Sequence, residues 1–325
     1  MKIVIPGGTG QVGTLLARAF HRDGHSVVVL SRRADGKRAG SEAASATPWR
    51  VVRWDAQRIG PWAKELEGTD VVVNLAGRNV NCRYNKKHRR EIMESRVRST
   101  RLVGEAIGAA RKPPRIWLQA STATIYAHRY DAANDERTGI IGGDEPGAPD
   151  TWRFSIDVAK AWERAVDESP TPATRKVKLR SAMVMSPDKD GIFDTLLTLV
   201  RRGLGGTAAG GRQYISWIHE TDFIRSLYWL IAREDMEGAV NVASPNPLPN
   251  MEFMGILREA AHARIGLPAT RLMLEVGAFF MRSETELILK SRRVVPGRML
   301  EAGFDFVFPQ WEQAARDLCA RSLAS

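Results

Sequence analysis

The first thirteen residues, MKIVIPGGTGQVG, constrain the fold of this chain more than any other stretch. Residues 2–5 form a short apolar run that is suited to a buried parallel strand. Three glycines follow at GxxGxxG spacing, and these are Gly7, Gly10 and Gly13. Apolar residues then recur at helical spacing until Gly24, where a helix would end before a second apolar run. The stretch therefore predicts a strand, a tight turn and a helix.

Glycine has three physical uses at these positions: it permits the tight turn, it lets the backbone approach a pyrophosphate, and it allows the helix to pack closely on the strand. The free N–H groups at the start of the helix, together with the positive end of its dipole, then bind phosphate oxygens. The motif predicts a bound dinucleotide, held by the glycines and by Thr9, Gln11 and Val12. A purely structural turn is the alternative.

Apolar strands alternate with amphipathic helices through the first 185 residues, a pattern typical of a doubly wound parallel sheet. The predicted strands are residues 2–5, 27–30, 50–54, 70–75, 115–119 and 176–184. The predicted helices are residues 11–22, 62–66, 86–110 and 152–168. Residues 33–48 and 129–150 are predicted as loops, the second as a mobile substrate lid, because it follows the fifth strand at the edge where ligands bind in such folds.

After about residue 186 the pattern changes to helices with short strands between them. The later helices are predicted at residues 193–202, 220–233, 251–263, 270–281 and 311–321. A chain of 325 residues is long enough for two units. We expect an α/β dinucleotide-binding domain, an NAD(P)-binding Rossmann fold, over residues 1–185, with residues 210–245 partly returning to it. Residues 186–325 would form a smaller, mostly helical substrate domain.

The formal net charge of +11 and the pI near 10.0 raise the question of nucleic-acid binding. The basic residues are spread along the chain except in residues 83–101, where many of them cluster. On a helix, Ile92, Val97 and Leu102 give that segment an apolar side, and the basic residues become its solvated face. We therefore predict no nucleic-acid partner. Attraction of a phosphorylated cofactor or an anionic substrate accounts for part of the charge.

Cysteine usage and hydropathy predict a cytoplasmic protein with no metal site and no membrane partner. The two cysteines, Cys82 and Cys319, are far apart and have no metal-ligand spacing, which suits a reducing compartment. Residues 2–5 run directly into the glycine turn, without the pattern of a secretion signal. The most apolar later segment, residues 272–281, is too short to span a bilayer and contains Glu275.

The end of the second predicted strand distinguishes the two nicotinamide cofactors. An NAD site carries an acidic residue about 20 positions past the glycine turn, where it binds the ribose 2′-hydroxyl. This chain has Ser31, Arg32 and Arg33 there instead. Since a guanidinium pairs with a phosphate through two hydrogen bonds, these residues predict NADP(H). A solvated turn is the alternative reading of the arginines.

Two further strand ends carry candidate cofactor contacts. Leu75, Ala76 and Gly77 follow the fourth strand and are small enough to let backbone pass beside an adenine and its ribose. Asp55 follows the third strand, where its carboxylate could accept a hydrogen bond from the adenine amino group. A helix cap is an equally good interpretation of Asp55.

Together these features resemble the extended branch of the short-chain dehydrogenase/reductase superfamily, and within it the atypical NAD-dependent epimerase/dehydratase family proteins, some once mislabelled as the cell-division inhibitor SulA. The resemblance covers essentially the whole chain, and residues 246–325 include the family's C-terminal domain of unknown function. The segments that carry it include GGTGQVG (7–13), LSRR (30–33), NLAG (74–77), ASTATIY (120–126), GGRQYISWIHETD (210–222) and VVPGRMLEAGFDFVFP (294–309).

The resemblance implies a catalytic Ser or Thr, and a Tyr followed four residues later by a Lys that lowers the phenol pKa. Ser121 or Thr122 falls at the hydroxyl position. No Tyr-x-x-x-Lys occurs in the sequence, and Phe154 and Val158 stand where it is expected. Tyr126 is the remaining candidate acid, and a phenol packed against the sheet edge is the alternative reading of it.

Residues 210–222 contain two candidate substrate contacts. Arg212 could face an anionic group at the substrate mouth. His219 could act as an acid or base, or support the loop by hydrogen bonding. Asp222 is predicted to cap the following helix.

These observations lead to two hypotheses of different classes. The first is an NADP(H)-dependent oxidoreductase or epimerase-like enzyme that acts on a small oxygenated substrate. The second, favoured by the missing tyrosine and lysine, is a non-catalytic NADP(H)-binding redox sensor or structural protein. Because superfamily members commonly pair through helices like 86–110 and 152–168, a homodimer is also predicted.

Overall fold

The computed structural model of the chain describes residues 1–33, 47–270, 273 and 286–324. A parallel sheet of seven strands forms its centre, in the order β10-β6-β5-β4-β1-β2-β3. These strands are β1 (Lys2–Pro6), β2 (Ser26–Ser31), β3 (Arg50–Arg53), β4 (Val71–Asn74), β5 (Ile116–Thr122), β6 (Arg175–Ser181) and β10 (Gly238–Val242).

Helices cover both faces of the sheet, and this is why its central strands are continuous apolar runs. Ile3 and Ile5 of β1 face a core shared with α1 (Gln11–Arg22) and α5 (Glu220–Ala232). Val4 faces the other core, to which α2 (Lys86–Ala109) contributes. The helix α3 (Asp150–Asp167) packs beside α2. The strand order reverses between β1 and β4, so a crevice opens there at the carboxyl ends of the strands.

The C-terminal part of the chain is mostly helical and has its own apolar core, built on Phe193, Trp217, Phe253 and Trp311. The Trp311 ring stacks on Phe253 with 4.0 Å between centroids. The helices of this C-terminal part are α4 (Ile192–Arg201), α6 (Asn250–Ala260), α7 (Glu286–Leu289), α8 (Gly297–Glu301) and α9 (Trp311–Ala324). Two small sheets accompany them, β7 (Met183–Met185) with β9 (Trp217–His219) and β8 (Tyr214–Ile215) with β11 (Leu248–Pro249).

The predicted doubly wound Rossmann fold with a helical C-terminal region is confirmed, and α1 has the predicted bounds. Three details differ. The single strand predicted at residues 176–184 is two strands, since the chain leaves the main sheet at Ala182. Pro61–Leu66 is a 3₁₀ helix. The strands β8 to β11 were not predicted; β10, within residues 210–245, pairs with β6 at the edge of the main sheet.

Two predicted segments fall largely outside the described residues: the loop at 33–48 and the helix at 270–281. Among the residues that the structure describes, no helix is long and apolar enough to cross a membrane, and no cluster of His, Cys, Asp or Glu could hold a metal ion.

Candidate functional site

The glycine turn joins β1 to α1, and two of its glycines are required by packing alone. Gly7 has a φ of +76°, and a Cβ there would lie 2.7 Å from the Cα of Ala76. A Cβ on Gly13 would lie 2.5 Å from the Cα of Gly8. Gly10 differs, because a Cβ there would meet nothing nearer than the Gly7 carbonyl oxygen, at 3.9 Å. The backbone at Gly10 is therefore open for a ligand to approach.

The start of α1 fits an anionic ligand. Gly10 caps the helix without a side-chain hydrogen bond, so the first N–H groups of α1 have no cap. Beside them, the Gln11 side-chain nitrogen is buried and has no hydrogen-bond partner among the described residues. A buried donor without an acceptor costs free energy. A phosphate at the helix start would bind these N–H groups, and its oxygens are the kind of acceptor that the Gln11 amide lacks.

The end of β2 places three predicted cofactor contacts beside this turn. Ser31 Oγ lies 3.4 Å from Thr9 Oγ1 and accepts a hydrogen bond of 3.2 Å from the Arg33 backbone N–H. The side chains of Arg32 and Arg33 are exposed, and neither has an ion-pair partner within the described part of the chain. Two guanidinium groups are thus available to an anion next to the glycine turn.

The candidates at the ends of β3 and β4 behave differently from one another. Asp55 is exposed, and its carboxylate accepts hydrogen bonds from the backbone N–H groups of Gln57 (2.8 Å) and Arg58 (3.2 Å). It therefore closes a local turn, in keeping with the capping interpretation. Leu75 and Ala76 continue from β4 past the glycine turn, and a Cβ on Gly77 would lie 3.2 Å from Arg96 Cζ.

A cavity of about 370 Å³ lies at the carboxyl ends of β5 and β6. No residue of the glycine turn lines it, but two of its lining residues lie next to glycines that neighbour that turn. Arg96 lines it and lies against Gly77, and Ile192 lines it next to Gly191, where a Cβ would overlap the Gln11 side chain. Most of the lining is apolar or aromatic, and it includes Val80, Tyr84, Ile92, Thr122, Phe154, Val158, Trp162, Met183, Leu196, Tyr214 and Ile215.

The missing tyrosine and lysine leave an apolar wall in this cavity. Phe154 and Val158, one turn apart on α3, both line it. The Phe154 ring packs edge-on against Tyr84 with 5.2 Å between centroids. Thr122 lines the same cavity, and its hydroxyl oxygen accepts a hydrogen bond of 3.1 Å from the Thr124 N–H. Of the predicted catalytic residues, Thr122 alone lines this cavity.

Ser121 and Tyr126 belong to a buried network beside the cavity, which we call the Arg180 network: Ser121, Tyr126, Glu163, Arg180 and Asn241. Ser121 Oγ donates to Glu163 at 2.6 Å, and Arg180 holds that carboxylate through two hydrogen bonds of 2.8 Å. Arg180 also donates to the Tyr126 hydroxyl at 2.9 Å, and that hydroxyl donates to Asn241 at 2.9 Å.

The surroundings of Tyr126 do not support it as the substitute acid. Its side chain is 2% exposed and is not part of the cavity wall, and burial raises its pKa. Its hydroxyl already has a donor and an acceptor. The packed phenol is the reading that the geometry matches, because β5 and the turn after it direct this ring to the Arg180 network.

His219 is a structural residue in this geometry. It is 0% exposed, its Nδ1 accepts the Thr221 N–H at 3.1 Å and so caps α5, and its Nε2 lies 3.0 Å from Asp317. Burial lowers its pKa to about 4 although Asp317 opposes the change, so the ring is neutral at pH 7 and Nε2–H is the donor. Hydrogen-bond support of the loop is therefore the interpretation that fits.

One further expectation for residues 210–222, the capping role of Asp222, is corrected. Asp222 does not cap α5; its carboxylate accepts the backbone N–H groups of Val307 and Phe308, both at 2.8 Å. It ties α5 to the C-terminal segment instead. Arg212 is exposed, lies 5.7 Å from the Tyr130 ring centre, and is not part of the cavity wall. A contact between Arg212 and an anionic group at the substrate mouth stays a prediction.

The charged groups of the cavity were missed by the sequence reasoning. They are Arg96, Glu286, Lys290 and Arg292. Burial lowers the pKa of Arg96 to about 10 and that of Lys290 to about 8. The one sequence signal is a short basic run, residues 290–293, just before the 294–309 segment. Nothing in that run predicts that the side chains of Lys290 and Arg292 line the cavity.

Comparison with known proteins adds relatives of matching length. Human epimerase family protein SDR39U1 is 29% identical over 323 residues, which cover 98% of this chain and 100% of the relative. Epimerase family protein YfhF from Bacillus subtilis (strain 168) is 28% identical over 320 residues, 98% of each protein.

Solved structures are similar to this chain over nearly its whole length. The crystal structure of human epimerase family protein SDR39U1 (isoform 2) with NADPH has a TM-score of 0.82 and 28% identity, covering 98% of this chain and 99% of that one. UDP-N-acetylglucosamine 4-epimerase from Bacillus cereus shares the fold with a TM-score of 0.73 at 16% identity, covering 99% of both chains.

Two family models match the sequence itself. Residues 3–149 match the NAD dependent epimerase/dehydratase family, and residues 269–318 match a domain of unknown function, DUF1731. Both matches agree with the resemblance found in the sequence. The chain is therefore similar to the NAD dependent epimerase/dehydratase family over residues 3–149 and to the domain of unknown function over residues 269–318.

Proposed function

We propose that this protein binds NADP(H) and acts as an oxidoreductase or epimerase-like enzyme on a small oxygenated substrate in the cavity. The observation that carries the proposal is the position of the cavity at the carboxyl ends of β5 and β6, where its lining residues Arg96 and Ile192 lie next to segments that pack on the glycine turn. In doubly wound sheets, ligands bind in the crevice at the carboxyl ends of the strands. A diphosphate at the start of α1 would thus direct a nicotinamide toward Thr122.

The choice of NADP(H) rests on Arg32 and Arg33, whose exposed guanidinium groups suit a 2′-phosphate. The human relative was crystallised with NADPH, which supports the same choice. When bound, this cofactor supplies or accepts a hydride. Thr122 would orient the substrate, because its hydroxyl accepts from the Thr124 N–H and keeps its own hydrogen for a carbonyl oxygen. The apolar walls at Phe154 and Val158 would exclude water.

A nucleotide titration tests the cofactor assignment. Replacing both guanidinium groups, Arg32→Ala with Arg33→Ala, should weaken NADPH by roughly 10- to 100-fold, since charge-assisted hydrogen bonds are lost. NADH, which lacks the 2′-phosphate, should be affected much less. Arg316→Ala, on the exposed side of α9, is the matched control. Intrinsic fluorescence measures each affinity, and an equal loss for both nucleotides would contradict the assignment.

A turnover assay separates the enzyme from its alternative. NADPH oxidation should be followed with a panel of aldehydes, ketones and quinones, in the wild-type protein and in Thr122→Ala. Turnover that falls in the variant supports the enzyme. NADPH binding without turnover would favour the second candidate, a redox sensor or structural protein, for which the apolar pair Phe154 and Val158 is the supporting observation. The homodimer stays a prediction, to be checked by light scattering.

A further inference from the structure

A carbonyl reduction in this cavity needs a proton source that the family positions do not supply. Phe154 and Val158 carry no acidic proton, and the Tyr126 hydroxyl lies outside the cavity in the Arg180 network. A guanidinium does not give up its proton near neutral pH. Of the charged groups that line the cavity in the described part of the chain, Glu286 and Lys290 remain.

Lys290 has the geometry of a donor aimed at a ligand. Its side chain is 2% exposed and lines the cavity, and its Nζ donates to the Thr124 carbonyl oxygen at 2.7 Å. An ammonium carries three N–H bonds. Thr124 supplies its only acceptor among the described residues, so further N–H bonds are left for a molecule in the cavity.

Lys290 and Thr122 are attached to the same short turn. The Thr124 N–H donates to the Thr122 hydroxyl oxygen, and the Thr124 carbonyl accepts from Lys290. This turn, the 3₁₀ helix Ala123–Ile125, follows β5 directly. The turn therefore anchors both Thr122 and Lys290, and both residues line the cavity.

The charges around Lys290 come from two segments. From its own segment, Arg292 disfavours the protonated amine and Glu286 favours it; from the loop before α3, Glu145 favours it and His128 faces it. Burial is the largest influence, and the pKa of Lys290 falls to about 8. A donor with a pKa near the working pH is suited to general acid–base catalysis.

We propose that Lys290 takes the place of the absent Tyr–Lys pair and exchanges a proton with the substrate oxygen. The inference rests on the proposed oxidoreductase function. As the carbonyl carbon accepts a hydride from the nicotinamide, the C=O π electrons move to oxygen, and that oxygen takes a proton from Nζ. An N–H bond breaks, an O–H bond forms, and the neutral amine regains a proton from water. Alcohol oxidation runs the same steps backwards.

Replacement of Lys290 tests the assignment. Lys290→Met should lower kcat/KM for NADPH oxidation by about 100-fold or more, the usual contribution of a positioned acid. Lys290→Arg keeps the positive charge, but a guanidinium does not release a proton near neutral pH, so this variant should be equally slow. NADPH affinity should be unchanged in both variants and in the exposed-residue control Lys87→Met, and Lys87→Met should keep wild-type kcat/KM.

A rescue experiment separates proton transfer from a structural role. In Lys290→Ala, added small primary amines should restore turnover, with a rate that depends on the pKa of the amine. A stable, folded Lys290→Ala protein whose turnover no amine restores would overturn the inference, as would wild-type turnover in Lys290→Met. Absence of NADPH oxidation by the wild-type protein with every carbonyl tested would instead overturn the proposed function, and this inference with it.

A readout without turnover uses competitive acetylation of the lysines from about pH 6 to about pH 11, followed by peptide mass spectrometry. Lys290 should become reactive with a midpoint near pH 8. A midpoint at the value of a free lysine side chain, about 10.4, would contradict the inference even if turnover is seen.

Discussion

Two groups of buried charges lie at the end of β5, and they differ in how those charges are balanced. In the Arg180 network, one guanidinium holds one carboxylate through two hydrogen bonds, and each hydroxyl has a partner. Among the described residues that line the cavity, three cations, Arg96, Lys290 and Arg292, accompany one carboxylate, that of Glu286. A balanced network leaves no buried charge without a partner, whereas an excess of cations around a void is suited to an anionic ligand.

Adjacent residues of one strand lead to these different places. Ser121 and Thr122 are neighbours on β5, but successive side chains of a strand point in opposite directions. Ser121 therefore enters the Arg180 network, and Thr122 lines the cavity. The comparison teaches that a family hydroxyl can be assigned to catalysis only when the direction of its side chain is known.

The largest expected effect is on folding. Arg180→Met should lower the free energy of unfolding by about 3–5 kcal/mol, because it leaves the Glu163 carboxylate buried without its partner. Arg101→Met is the matched control, since Arg101 pairs with Glu168 at the surface, and it should cost less than about 1 kcal/mol. Urea unfolding measures both. Similar losses of unfolding free energy in the two variants would mean that the Arg180 network contributes no more to stability than a surface ion pair.

His219 offers a smaller effect that depends on pH. Its folded pKa, about 4, is below its value in the unfolded chain, about 6.5, so the unfolded state binds more protons between these values. Its contribution to stability is complete above about pH 6.5 and is lost as the pH falls toward 4. The variant His219→Asn keeps a capping oxygen but has no imidazole to protonate. When unfolding is measured at several pH values, the loss of stability that His219 causes between about pH 6.5 and about pH 4 should be absent from this variant. A wild-type profile in the variant would show that His219 does not titrate as its burial implies.

The smallest expected effect comes from Tyr126→Phe, which checks directly whether the Arg180 network is separate from the cavity. Tyr126→Phe removes one hydroxyl from the Arg180 network and should cost about 1 kcal/mol of stability. Turnover of NADPH should stay at the wild-type level, because this ring does not reach the cavity. Loss of turnover in a variant of normal stability would return Tyr126 to the catalytic role that the sequence suggested.

The amino-acid sequence by itself determined six of the seven strands of the main sheet, the glycine turn and the similarity to the epimerase/dehydratase family. Each of these depends on neighbouring residues: glycines at fixed spacing, apolar strands between turns, and an arginine pair directly after β2. The bounds of α1 could be predicted for the same reason, since its start at the glycine turn and its end before Gly24 are both local signals.

The charged groups of the cavity were decided by the tertiary structure alone. Lys290 meets the turn after β5 across 166 residues of chain, and Tyr126 meets Asn241 across 115. Strand direction placed Ser121 in the Arg180 network, the 3₁₀ turn after β5 placed Tyr126 there, and packing of the C-terminal part brought Lys290 to the site. Such contacts join residues that no short pattern connects, because the side a residue faces depends on elements that lie far away in the chain.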